Sequence, residues 1–191
     1  MDRRTTIKSI IVVAYVGLSS FSFYKWIALN SAIDIQSLDQ KKSLIAELGE
    51  VIIPRTDTPG AKDAKVEEYT IRMIKYCTER ISQHNFLNGL NDLEVYVQKN
   101  YKRDFAACTE KEKIAVLQHF EDKSVFKVKV LNKINNKFFG IPFFVRLKQL
   151  TTEGYCISEL GATKGLAYDY IPHMYQPCIP LTKDQKSWAT K

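Results

Sequence analysis

The chain has 191 residues, a formal net charge of +7, and 45% hydrophobic against 26% charged residues. This length suits a single domain, and the composition excludes a disordered chain, which lacks the apolar side chains to bury a core. The positive charge invites nucleic acid, an anionic membrane surface or an acidic partner, or is a solvated lysine-rich surface, as the scatter of the lysines suggests; nucleic acid is set aside, because neither a basic stripe nor a reading element is visible.

The N-terminus opens with Arg3, Arg4 and Lys8 and runs into apolar residues 10–18. Charge followed by an apolar run is the pattern of an export signal. Arg3-Arg4-Thr5-Thr6-Ile7-Lys8 resembles a twin-arginine signal, with two arginines ahead of an aliphatic residue and a lysine. Basic residues stay on the cytoplasmic side of a membrane, so the remainder of the chain is expected to face outward. Residues 9–24 carry no charge, and Phe21, Phe23, Tyr24 and Trp26 resemble an interfacial aromatic belt. Ser20-Phe21-Ser22 is a weak cleavage site, so a retained anchor within residues 1–30 is expected. Residues 31–191 would then form one helical domain, with a wrapped tail over residues 161–191.

Residues 37–53 place Leu38, Leu44, Ile45, Leu48 and Ile52 near helical spacing. Ser37 and Gln40 stand where a capping box would have them, and Pro54 is the stop. Residues 54–66, PRTDTPGAKDAKV, read as a loop in which Thr56, Asp57 and Thr58 can pin the backbone through side-chain hydrogen bonds. Residues 66–81 read as a helix with Val66, Tyr69, Met73, Ile74 and Cys77 on its apolar side. Glu67 and Glu68 in its first turn and Arg80 in its last complement the helix dipole. Residues 85–101 carry a stripe of Phe86, Leu87, Leu90, Leu93, Val97 and Tyr101. Thr109, followed by Glu110 and Glu112, starts a further helix bearing Ile114, Leu117 and Phe120.

Residues 125–130 alternate like a strand, but a lone strand has no partner in a helical chain. An extended or loosely helical connector is expected there, broken by Asn135-Asn136 and Gly140. Pro142 opens the last helix, and Phe143, Phe144, Leu147, Leu150, Tyr155 and Ile157 mark it as central to the core. The expected fold is all-α: a helical bundle with an N-terminal anchor helix and an extended, irregular C-terminal tail. Residues 154–181 mix glycines, prolines and buried-type aromatics, so they are expected to wrap over the bundle. Tyr168, Tyr170 and Tyr175 in this tail either close the core or meet a partner.

Chemistry is sparse. His84, His119 and His173 have no metal-ligand spacing, and Gly161-Ala162-Thr163-Lys164-Gly165 fails the phosphate-loop pattern. Glu153 and Glu159 are too far apart along a helix to share a face closely. Cys77, Cys108, Cys156 and Cys178 contain no CxxC pair, so zinc is not expected. They are long-range disulfides if the chain is exported and buried thiols if it is cytosolic. With no catalytic, cofactor-binding or metal site expected, the chain reads as a subunit, chaperone or scaffold.

Several stretches together resemble one family. They are the DRRTTIK opening, Ile53-Pro54-Arg55-Thr56-Asp57-Thr58-Pro59-Gly60-Ala61-Lys62, and Pro142-Phe143-Phe144 with Leu147-Lys148-Gln149-Leu150-Thr151. Gly154-Tyr155, Ser158-Glu159-Leu160-Gly161-Ala162-Thr163 and Cys178-Ile179-Pro180-Leu181 follow in order. The chain is similar to the gluconate 2-dehydrogenase subunit 3 family, the small subunits of membrane-associated, flavin-dependent sugar and sugar-acid dehydrogenases. The resemblance implies a non-catalytic accessory and export-escort subunit, periplasmic and membrane-associated. It also implies a large flavoprotein partner that carries FAD, often with a cytochrome c subunit taking the electrons. It further implies a Cys77–Cys178 disulfide tying tail to body. A second pair, Cys108–Cys156, is expected outside the resemblance, since Cys156 stands where the family usually has an apolar residue. A stand-alone envelope structural protein, anchored by its N-terminal helix, is the competing reading.

Overall fold

The computed structural model describes residues 34–124, 140–171, 178, 180 and 183–189, all within the unit Asp34–Lys191. Arg3, Arg4, Lys8, the apolar run, the strand-like residues 125–130, His173 and Tyr175 lie outside the described residues.

Among the described residues the chain is helical, as its class was expected to be. The helices are α1 Ser37–Gln40, α2 Lys42–Ile52, α3 Val66–Cys77, α4 Arg80–Tyr101, α5 Glu110–Ser124 and α6 Phe143–Ile157. A 3₁₀ turn spans Phe105–Ala107 and a π-helical turn spans Gly161–Gly165. None of these described helices is long and apolar enough to cross a membrane.

α6 is apolar around much of its circumference, so it must find neighbours on several sides. α2, α3, α4 and α5 all pack on it. Leu147 and Leu150 are fully buried there, as are Phe86, Leu90 and Leu93 of α4 and Val116 of α5. Burying each such side chain contributes about 1.5–3 kcal/mol of transfer free energy. In the first turn of α6, Phe143 meets Phe86 edge-on with ring centroids 5.4 Å apart, and Phe120 of α5 at 6.1 Å. Gly89 of α4 makes room for that ring: a Cβ there would lie 2.2 Å from the Phe143 Cβ. The chain enters α6 through Gly140, whose φ of +74° favours glycine. Ile141 is then tied to α4, its N–H donating to Ser82 Oγ at 3.2 Å.

Thr109 caps its helix as expected, and Glu112 completes a capping box with it. The Thr109 N–H donates to Glu112 Oε2 at 2.8 Å, and the Glu112 N–H donates to Thr109 Oγ1 at 3.4 Å. The Ser37–Gln40 box does not form. The Ser37 hydroxyl donates instead to the Asp34 carbonyl at 2.6 Å, and Gln36 precedes the helix without a side-chain cap.

α3 ends sooner than expected, and Arg80 begins α4 rather than closing α3. Gln83 Nε2 takes carbonyls that another turn would need, donating to Ile74 at 2.8 Å and Lys75 at 3.1 Å, while Thr78 Oγ1 donates back to the Met73 carbonyl at 2.9 Å. The buried face of α3 is Val66, Thr70, Ile71 and Ile74, with Tyr69 and Met73 half-buried and Cys77 exposed. Ile114 and Ile157, expected in the core, are exposed.

Candidate functional site

The loop after α2 is held from beneath. Ile53 precedes a proline and is pushed out of the helical region, with φ −128° and ψ 86°. Glu50, in the last turn of α2, then accepts two backbone N–H bonds, from Arg55 at 2.9 Å and from Lys62 at 3.0 Å. Asp63 Oδ2 accepts the Gly60 N–H at 3.0 Å, and the Ala61 N–H returns to the Ile53 carbonyl at 2.9 Å. Thr56, Asp57 and Thr58 pin the tip as expected. Thr56 Oγ1 donates to Asp57 Oδ1 at 2.9 Å, and that bond, with backbone donors and nearby Lys186 adding to it, holds the Asp57 carboxyl below its ordinary range.

The end of α6 forms the other wall. Ser158 caps the helix, its hydroxyl donating to the Tyr155 carbonyl at 2.7 Å and accepting the Gly161 N–H at 2.9 Å. The π-helical turn Gly161–Gly165 follows directly. Tyr155 joins the two walls. Its ring is buried against Ala61 and Val66, and its hydroxyl donates to the Pro59 carbonyl at 2.8 Å. Between the walls lies an open cleft of about 400 Å³, lined by Arg55, Asp57, Asp63, Leu160 and Lys164 among others. The C-terminal segment comes back to this edge. Ala167 and Trp188 form an isolated parallel bridge, with the Ala167 N–H donating to the Ser187 carbonyl and the Ala189 N–H to that of Ala167, both at 2.8 Å. Lys186 Nζ donates to the Lys164 carbonyl at 2.8 Å.

Beside the cleft the tail is turned to water. Tyr168 is 41% exposed, Tyr170 85% and Ile171 62%, with the two tyrosine rings edge-on at 6.2 Å. Tyr168 and Tyr170 therefore do not close the core.

The two segments that meet here, residues 53–62 and 158–163, are the ones whose sequences are least ordinary for a plain helical bundle. The chain matches the family model described as Gluconate 2-dehydrogenase subunit 3 over residues 39–173. The chain belongs to the gluconate 2-dehydrogenase subunit 3 family. The matched span contains both walls of the cleft and ends within the tail, so in this family member Lys186 and Trp188 come from beyond it. The family's description names a subunit of a dehydrogenase. No curated protein and no solved structure matches the chain.

The remaining candidate residues are dispersed. His84 is buried in α4, whereas His119 is exposed and stacks on Tyr96 at 4.3 Å. Glu153 and Glu159 are both exposed. Burial, and after it a hydrogen bond to Glu153, pushes the Tyr69 hydroxyl above its ordinary range. Among the described residues no group of three His, Cys, Asp or Glu is placed to hold a metal ion. The four cysteines are free: Cys77 and Cys178 exposed, Cys156 half-buried, and Cys108 buried with its thiol donating to the Asp104 carbonyl at 3.5 Å.

Sequence reasoning missed Glu50, Asp63 and the Tyr155–Pro59 bond. A signal for Glu50 existed. A carboxylate in the last turn of a helix opposes the helix dipole, which is tolerated more readily where other donors hold it.

Proposed function

We propose that this chain is the non-catalytic small subunit of a flavin-dependent, gluconate 2-dehydrogenase-like oxidoreductase, acting as accessory and export escort to a large FAD-carrying flavoprotein. The observation that carries this reading is the pairing of family membership with exposed apolar tail side chains. Tyr170 and Ile171 lie in the matched span yet face water, beside a cleft built from the family's own segments. Large apolar side chains left exposed together on one segment favour an interaction role for it. In this proposal Tyr168, Tyr170 and Tyr175 meet the flavoprotein, and a cytochrome c subunit accepts the electrons. Arg3, Arg4 and Lys8 direct the folded pair across the membrane as a twin-arginine signal, and the retained N-terminal helix anchors it on the periplasmic side.

Co-purification tests it. Tagged chain isolated from its native membrane should carry a flavoprotein with FAD absorbance and sugar-acid oxidation with a dye acceptor. Tagged chain recovered without flavin overturns the reading.

A further inference from the structure

The cleft between the loop and the π-helical turn is edged by cations that the fold uses unequally. Arg55 is spent, its guanidinium 3.5 Å from Asp63. Lys164 and Lys186 are different: both are exposed, and among the described residues neither has a carboxylate within ion-pair distance. Lys164 lines the cleft itself. Lys186 is brought to the same edge by two devices. One is the parallel bridge at Ala167; the other is its own bond to the Lys164 carbonyl. It comes close enough to Asp57, on the opposite wall, to favour that carboxylate's charge.

The walls are also pre-organised. Tyr155 and Glu50 fix the loop from below, so little ordering is left for a ligand to induce. A polar cleft, edged by Lys164 and Lys186, neither in an ion pair among the described residues, and followed in the chain by exposed Tyr168 and Tyr170, has the anatomy of an interface pocket: charged groups at the rim and aromatics to bury beside it.

We infer that this cleft receives an acidic side chain of the flavoprotein partner, with Lys164 and Lys186 as its specificity-determining cations. The inference rests on the subunit reading above and adds where and by what chemistry the partner is gripped. Lys186 lies beyond the family-matched span.

The test uses full-length tagged chain co-expressed with its flavoprotein, and reads flavin retained per chain over a salt series. Lys164→Glu and Lys186→Glu should each weaken retention about tenfold or more and flatten its salt dependence. Lys99→Glu, an exposed charge reversal in the last turn of α4, should leave it within about twofold, and far-ultraviolet dichroism should be unchanged in all three. Two outcomes overturn the inference. If the wild type retains flavin and the cleft reversals behave like Lys99→Glu, the cleft assignment fails and the subunit reading stands. If the wild type retains no flavin, both fail together.

Discussion

The Tyr155 hydroxyl donates to the Pro59 carbonyl at 2.8 Å, across 96 residues of sequence. This one bond ties the end of α6 to the loop after α2, the two walls of the cleft. The ring supplies burial and the hydroxyl supplies register. Tyr155→Phe keeps the first and removes the second, leaving a part-buried carbonyl without its donor. A stability loss of about 1 kcal/mol is expected, read as a lower urea midpoint at unchanged slope. An unaltered midpoint would mean that water replaces the hydroxyl at no cost.

Gly89 and Phe143 set how closely α4 and α6 approach. Alanine favours a helix over glycine by about 0.8–1 kcal/mol, so Gly89→Ala would stabilise an isolated helix. Here the added Cβ would meet the Phe143 Cβ at 2.2 Å, far inside contact distance. Overpacking of this kind costs about 1–3 kcal/mol, and the Phe143 ring is already held between Phe86 and Phe120. The clash outweighs the propensity. A net destabilisation is expected in urea unfolding, and a stabilised variant would show that the two helices part freely.

Glu47 ties three pieces of the fold together, accepting Lys62 of the loop at 2.5 Å and Lys113 of α5 at 2.9 Å from its place on α2. Burial alone would raise its carboxyl, but the hydrogen bonds from Lys62 and Lys113 outweigh it and hold the carboxyl below its ordinary range. A carboxyl depressed on folding contributes stability above its unfolded value and loses it as pH falls through the folded one. Glu47→Gln should therefore be less stable than wild type at neutral pH and converge with it in acid. Urea midpoints measured from pH 7 downward check this. A constant gap across the series would assign the loss to packing instead of charge.

Much of this fold was legible because single residues carried local signals. Thr109 and Glu112 lie three apart, and their reciprocal bonds need nothing from the rest of the chain. The α4 stripe of Phe86, Leu90, Leu93 and Val97 is buried as the spacing of its apolar residues predicts. α3 was misread because its buried face includes Thr70, while Tyr69 and Cys77 suggested a face rotated toward them. What periodicity could not supply was contact at long range. Glu50 works by bonding backbone amides across a loop, and Tyr155 by reaching a carbonyl far away in sequence; a pattern of side-chain types records neither. The cleft's location was half legible, since the two motif segments stood out. That they face each other follows from α6 packing on α2 and α3.

Cysteine pairing is a matter of compartment. Cys77 and Cys178 are free and exposed in the structure, so oxidant can reach both. If the chain is exported as proposed, peptide mapping under non-reducing conditions should find them linked, and the same chain made in a reducing cytosol should not. The closed loop is long, and the chain-entropy account gives such a link about 4–5 kcal/mol. Cys108 should pair with Cys156 less readily, because burial first and Glu112 second raise its thiol and deplete the reactive thiolate. Free thiols at Cys77 and Cys178 in exported protein remove the bridge.

Tyr170 separates an interface role from a structural one. It is 85% exposed, and its ring meets only that of Tyr168 among the aromatic contacts of the described residues. Tyr170→Ser should leave the chain's own stability within about 0.5 kcal/mol, as surface changes away from special features do. Partner retention should fall much further, because an interfacial tyrosine that becomes buried is worth about 2 kcal/mol when it is a hot spot, roughly a thirtyfold change in dissociation constant. The decisive quantity is the ratio of the two effects. Flavin retention lost at unchanged unfolding midpoint places Tyr170 against the partner. Retention unchanged at unchanged midpoint places the contact elsewhere on the surface.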